Sequence, residues 1–276
     1  MLFLYYFLFT NSFINNIIFK IMNKSIKKYF FMIWELAFSD FRLRDQGTIL
    51  GFLWTLLYPL LFFCVLYTIF SDWMKSIKDF PLYMLIGMVQ WNFFSGATGA
   101  SILSIMRYSN FVKSIAFPKE CIVFASVLAV LFSHVLELAI LIIFCIVIKG
   151  FASINILFLI PILLLTVFFT ISVSLTLSLI GVYFLDMTRI WSIFTTMGFF
   201  LTPIFYTLDM LSPFKRNVIL LNPMTHVIKA SRDILLDGKF PELQGLLYVL
   251  ILSIVLFIIG YILFKKFLTI GCEPVF

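Results

Sequence analysis

Charge is what this chain has least of: Asp, Glu, Lys and Arg make up 12% of its 276 residues, against 63% hydrophobic ones. A soluble domain holds nearer one quarter charged residues, so this composition excludes an ordinary globular protein. The GxxxxGK[ST], GxSxG and HExxH patterns are also missing, which removes a phosphate loop for ATP and the commonest hydrolase motifs. No pair of loop carboxylates suits glycosyl chemistry. The four cysteines (Cys64, Cys121, Cys145, Cys272) sit in or beside apolar runs at irregular spacing. Without a CxxC pair or Cys/His cluster they support neither zinc nor a disulfide framework. The chain does not read as an enzyme, and no metal or other cofactor is expected to bind to it.

Long apolar runs fill the sequence instead. Residues 48–70 follow the charged stretch FRLRDQG (41–47) at once and hold no Asp, Glu, Lys or Arg. At 1.5 Å per residue that run is long enough to cross a bilayer. Five more follow, near 80–106, 121–148, 154–185, 190–206 and 246–264, the fourth long enough to tilt or to bend near Pro161. The expected fold is an all-α integral membrane protein. Six transmembrane helices occupy 48–267, an amphipathic interfacial helix over 22–47 precedes them, and a cytoplasmic tail covers 268–276. Two short, outer, re-entrant-like helices over 212–237 separate spans five and six. Residues 1–21 form an N-terminal extension without the basic start and cleavage site of a signal peptide; initiation at Met22 is the alternative. A formal charge of +7 would suggest nucleic acid in a soluble protein, but here the bases lie between apolar runs and orient the chain against anionic lipid, with no nucleic-acid partner. Both ends are placed in the cytoplasm, which puts twelve of the twenty Lys and Arg on that side.

Four segments stand out from the spans. Apolar residues recur at three- and four-residue steps over 23–44 (Ile26, Tyr29, Phe30, Ile33, Ala37, Phe38, Phe41), giving a helix that lies in the headgroup layer or packs on another subunit. In the loop 107–120, Asn110 caps a short helix that Pro118 ends. Phe111, Val112 and Ile115 give it an apolar side beside Lys113, a shape for docking a partner or for a plain connecting turn. Ser212-Pro213 and Asn222-Pro223 open the two outer helices, which roof a pore or brace the last span. In span three, His134 and Glu137 share one helical face at mid-membrane depth. An ionisable pair there is costly and marks a functional site, or else a hydrogen-bonded pair buried between helices.

Three places together resemble the permease subunit of type-2 ABC exporters, in the branch that moves O-antigen, capsule, lipopolysaccharide and teichoic acid. They are 38–59 (FSDFRLRDQGTILGFLWTLLYP), 110–120 (NFVKSIAFPKE), and 202–206 (TPIFY) with 221–224 (LNPM) and Arg232. The resemblance implies a homodimer in the bacterial inner (cytoplasmic) membrane, with each copy docking an ATP-binding subunit that carries the ATP and Mg. Docking would fall on Asn110, Phe111, Val112, Lys113, Ile115, Phe117, Pro118, Lys119 and Glu120. A lipid-linked polysaccharide, entering from the cytoplasmic side amid membrane lipids, would pass Trp54, Tyr58, Tyr67, Trp191 and Tyr206. Pro203, Asn222, Pro223 and Arg232 would form an outer gate. The alternatives are export of a drug or lipid by the same machinery, or ion-coupled transport through His134 and Glu137.

Overall fold

A computed structural model describes residues 24–44, 53–75, 77–109, 118–149 and 154–270. The expected docking residues from Asn110 to Phe117, the side chain of Tyr58 and both termini lie outside them. The described residues contain no strand. Their helices are α1 Lys24–Arg44, α2 Leu53–Phe70, α3 Phe80–Ile102, α4 Ser104–Arg107, α5 Glu120–Lys149, α6 Leu159–Tyr183, α7 Met187–Leu201, α8 Pro213–Leu220, α9 Pro223–Leu235 and α10 Leu243–Ile270. Single 3-10 turns occupy Ile154–Phe158 and Leu208–Met210.

Among the described residues three stretches are long and apolar enough to cross a membrane: Glu120–Ile148, Asn155–Tyr183 and Leu243–Phe267. At 25 or 29 residues they run for roughly 40 Å, more than the hydrocarbon needs. Pro59–Phe70 is a shorter apolar segment. The expected bend at Pro161 is not needed, because α6 starts at Leu159 and the proline falls in its first turn, where a missing N–H costs nothing.

α3 differs in kind from the long apolar helices. It lies against α2, α5, α6, α7 and α9, and most of its side chains from Phe80 to Ile102 are buried. Enclosed on all sides, it has no single apolar stripe and can carry hydroxyls inside. Thr98 donates to the Phe94 carbonyl at 2.7 Å and Ser101 to the Thr98 carbonyl at 2.7 Å. Thr166, Thr170, Ser172 and Ser178 of α6 bond back to their own helix in the same way. Such small side chains let apolar helices approach closely. Of the glycines in this region, Gly87 and Gly181 are closely packed, whereas a side chain at Gly99 would meet nothing within 4 Å.

α1 packs along α5 rather than standing apart. Ala37 is buried against Ala125 and Ala129, and Trp34 and Phe41 both meet the Phe132 ring edge-on at 5.2 and 5.7 Å. Tyr29 and Phe30, grouped with these by periodicity, stay exposed instead. A 21-residue helix with apolar residues over more than half its girth can cover a neighbour and still present aromatics outward.

Candidate functional site

Two constellations of polar groups lie at opposite ends of the bundle. The first begins where α7 stops at Leu201 and the chain runs extended through Thr202. Beyond the helix end the backbone carbonyls have no helical N–H to meet, and here a side chain from α9 takes two of them and a third from α3. Arg232 Nη1 donates to the Pro203 carbonyl at 2.7 Å, Nη2 to that of Ile204 at 2.9 Å, and Nε to that of Tyr83 at 3.1 Å. Its guanidinium also lies 3.4 Å from the centre of the Tyr83 ring. Burial lowers the guanidinium to about 10, far enough above neutrality for it to stay charged. Gly87 makes room for this group: a methyl there would sit 2.8 Å from Nη2 and 3.2 Å from the Ile204 Cα.

Asn222 closes the same segment from the other side. Its side-chain oxygen caps α9 by accepting from the Met224 N–H at 3.0 Å, while its amide donates to Thr202 Oγ1 at 2.8 Å. Tyr83 Oη donates to the Tyr206 carbonyl at 2.9 Å, and Gln90 Nε2 to Ser231 Oγ at 3.0 Å. Pro203, Asn222, Pro223 and Arg232 therefore meet in one bonded unit that ties α3, the end of α7 and α9 together. Beside it opens a cavity of about 360 Å3 lined by Lys78, Asp79, Asp209, Arg216, Lys229 and Asp233. Burial raises the Asp233 carboxyl above its ordinary value.

The second constellation lies at the end where α4 finishes and α5 begins. Tyr108 Oη donates to Asp40 Oδ1 at 2.6 Å, and Arg107 approaches Asp40 Oδ2 at 3.6 Å. The Asp40 side chain is 9% exposed, so α1 is fastened to the end of α4 through a shielded carboxylate. Burial and the Asp40 hydrogen bond push the Tyr108 phenol well above its usual range. Asp40→Ala is expected to cost about 1–3 kcal/mol through the stranded phenol, read as a lower melting temperature in detergent; an unchanged value refutes the fastening. Of the expected docking residues, Pro118, Lys119 and Glu120 are described, and they line a cavity of about 700 Å3 with Tyr29, Phe124 and Lys265.

A third cavity, of about 390 Å3, lies between the end of α1 and the middles of α3 and α5; Trp54, Asn92, Ser133, His134 and Glu137 line it. His134 and Glu137 share it without bonding to one another, since neither His134 ring nitrogen has a hydrogen-bond partner among the described residues. Arg44 Nη2 donates to Ser133 Oγ at 2.6 Å. The aromatic residues expected along a pathway are spread out: Trp54 is here, and Tyr67 stacks on Phe63 and Phe80 at 5.7 and 6.3 Å. Trp191 Nε1 donates to Thr98 Oγ1 at 2.9 Å, and Tyr206 Oη to the Leu201 carbonyl at 2.7 Å. Sequence reasoning passed over Asp40, Tyr83, Gln90 and Tyr108 as site residues. A polar side chain inside an apolar run was signal enough for Gln90; nothing local marks the others.

Residues 32–236 match the family described as ABC-2 type transporter, an interval that runs from α1 to the end of α9. The O-antigen export system permease protein RfbA of Klebsiella pneumoniae is 26% identical over 248 residues, 89% of this chain and 95% of that protein. RfbA of Myxococcus xanthus is 25% identical over 84% of this chain and 91% of its own length. The polysialic acid transport protein KpsM of Escherichia coli is 23% identical over 90% and 95%.

Proposed function

The chain belongs to the ABC-2 type transporter family, a membrane transport subunit rather than a catalytic one, and from that premise we propose that it is the permease of an ATP-driven exporter of a lipid-linked cell-surface polysaccharide. The carrying observation is that its polysaccharide-exporting relatives align over 84–90% of the chain, including the segments that build the Arg232 unit. A sugar chain in hydrocarbon would leave its hydroxyls unsatisfied, so an enclosed route with polar groups is required.

In this reading α2, α3, α5, α6, α7 and α10 are the six spans, α1 is the interfacial helix, and α8 and α9 cover the outer end. The placement of Arg107, Lys119 and Lys265 at one end supports a cytoplasmic face there. We assign pairing with a second copy to α7, on which Ile193, Phe194, Met197, Phe200 and Leu201 are more than half exposed. The loop 107–120 docks the ATP-binding subunit, which carries ATP and Mg.

The test is co-purification from mild detergent followed by an ATP hydrolysis assay. An ATP-binding subunit is expected in fixed ratio, and is lost when Phe111 and Val112 are both changed to Asp. A chain that purifies alone and without ATPase activity overturns the reading and moves His134 and Glu137 to the centre.

A further inference from the structure

The cavity of about 700 Å3 is a groove between helices that pack on different neighbours. α1 lies along α5 and α10 along α6, and the groove opens where α1 and α10 face each other across the start of α5. Each wall is a row one helical turn apart: Tyr29 and Ile33 on α1, Glu120 and Phe124 on α5, Phe257, Tyr261 and Lys265 on α10. Along α10 the wall changes in order. Phe257 is apolar, Tyr261 adds a hydroxyl, and Lys265 ends the row with a charge, about 12 Å from the first. Lys119 brings a second ammonium group to the same end of the lining.

Depth and charge narrow what fits. Phe257 to Lys265 lie within the apolar stretch Leu243–Phe267, and Phe124 within Glu120–Ile148. Ile258 and Ile262, on the same turns of α10, are more than half exposed, so the groove opens beside the apolar surface of a spanning stretch. A soluble polypeptide would have to enter the hydrocarbon to reach Phe257, and a free phosphate would leave the aromatic walls uncovered. A phospholipid carries an apolar and an anionic part in the order of the wall, and basic pockets between spans hold such head groups. Glu120 selects further. One carboxylate against two ammonium groups leaves the rim positive and calls for a hydroxyl donor. Phosphatidylglycerol supplies a phosphate for the lysines and glycerol hydroxyls for Glu120, whereas phosphatidylethanolamine adds an ammonium that both lysines repel.

We propose that the groove between α1, α5 and α10 holds one anionic phospholipid of the phosphatidylglycerol class, its phosphate between Lys119 and Lys265 and an acyl chain against Ile33, Phe124 and Phe257. Bound so, the lipid ties the interfacial helix to the last one. Only the membrane placement of α5 and α10 is needed for this site, whatever the cargo.

The full chain, extracted in mild detergent with whatever subunit accompanies it, is read by native mass spectrometry during titration with phosphatidylglycerol or phosphatidylethanolamine. One phosphatidylglycerol per chain is expected to survive delipidation, and to raise the melting temperature where phosphatidylethanolamine does not. Lys119→Gln with Lys265→Gln is expected to weaken its binding about tenfold or more, and the pair Lys119→Arg with Lys265→Arg to keep it. Lys265→Gln alone serves if the double variant does not purify. Lys215→Gln with Lys239→Gln removes the same charge from the other end and is expected to bind as wild type does. Four outcomes overturn the proposal: no retained phosphatidylglycerol, equal retention of phosphatidylethanolamine, equal weakening by the Lys215 and Lys239 changes, or displacement of the lipid by soluble glycerol phosphate. Loss of the lipid whenever an ATP-binding subunit is present also overturns it, and makes the groove a docking face instead.

Discussion

Arg232→Ala is expected to unmake the end of the molecule where α3, α7 and α9 meet and to stop transport. Arg232 is 7% exposed, and its guanidinium satisfies the carbonyls of Tyr83, Pro203 and Ile204 at once. The Pro203 and Ile204 carbonyls, left without a partner, cost about 1–3 kcal/mol each, and the lost contact with the Tyr83 ring adds about 2 kcal/mol when desolvated. Marginal stability does not absorb such a sum. Arg232→Lys fares little better, because one ammonium cannot reproduce a rigid fork aimed at separate oxygens. Gly87→Ala reaches the same group from the other side and is expected to show the milder form of the defect. The measurements are melting temperature in detergent, protease cleavage within 202–222, and export in cells. Wild-type stability and export in Arg232→Ala would refute the role assigned to this residue.

Gly181→Ala is expected to have the second large effect, by a different mechanism. A β-carbon at this position would overlap the carbonyl oxygen of Ile102 and lie 3.0 Å from its carbonyl carbon. Backbone at a helix end cannot step aside as a flexible side chain can, so α3 and α6 must separate. Overpacking of this kind costs about 1–3 kcal/mol or more. The displacement would also carry α4 and the Tyr108–Asp40 bond away from α1, next to the loop proposed to dock the ATPase. Reduced stability and ATPase activity uncoupled from export are expected. Gly99→Ala is the control, since a methyl there meets nothing within 4 Å. Equal behaviour of the two variants would show that the close approach of α3 and α6 is unimportant.

The positions of most helices were legible because their signals are local. Ser212-Pro213 and Asn222-Pro223 announce two helices through capping and the fixed φ of proline, and α8 and α9 begin at those prolines. The long runs around α5, α6 and α10 needed only length and hydropathy. The face of α1 was harder, because periodicity identified its apolar residues without saying which would meet α5 and which would stay exposed. The pairing of His134 with Glu137 was a matter of spacing along one helix; what their side chains contact depends on Phe93 and Arg44, which come from elsewhere in the chain.

The sequence by itself determined that the chain is apolar, helical and a membrane protein, and that its ordered motifs resemble those of polysaccharide-exporting ABC permeases. These follow from composition and from contacts a few residues apart, which the chain carries wherever it folds. Only the tertiary structure decided that Arg232 serves carbonyls 28, 29 and 149 residues away, that Gly87 leaves room for its guanidinium, that Asp40 holds α1 to Tyr108, and that no described residue bonds the buried His134 ring. Hydrogen bonds and steric contacts act over a few ångströms, and no local pattern records which distant backbone will arrive within that range.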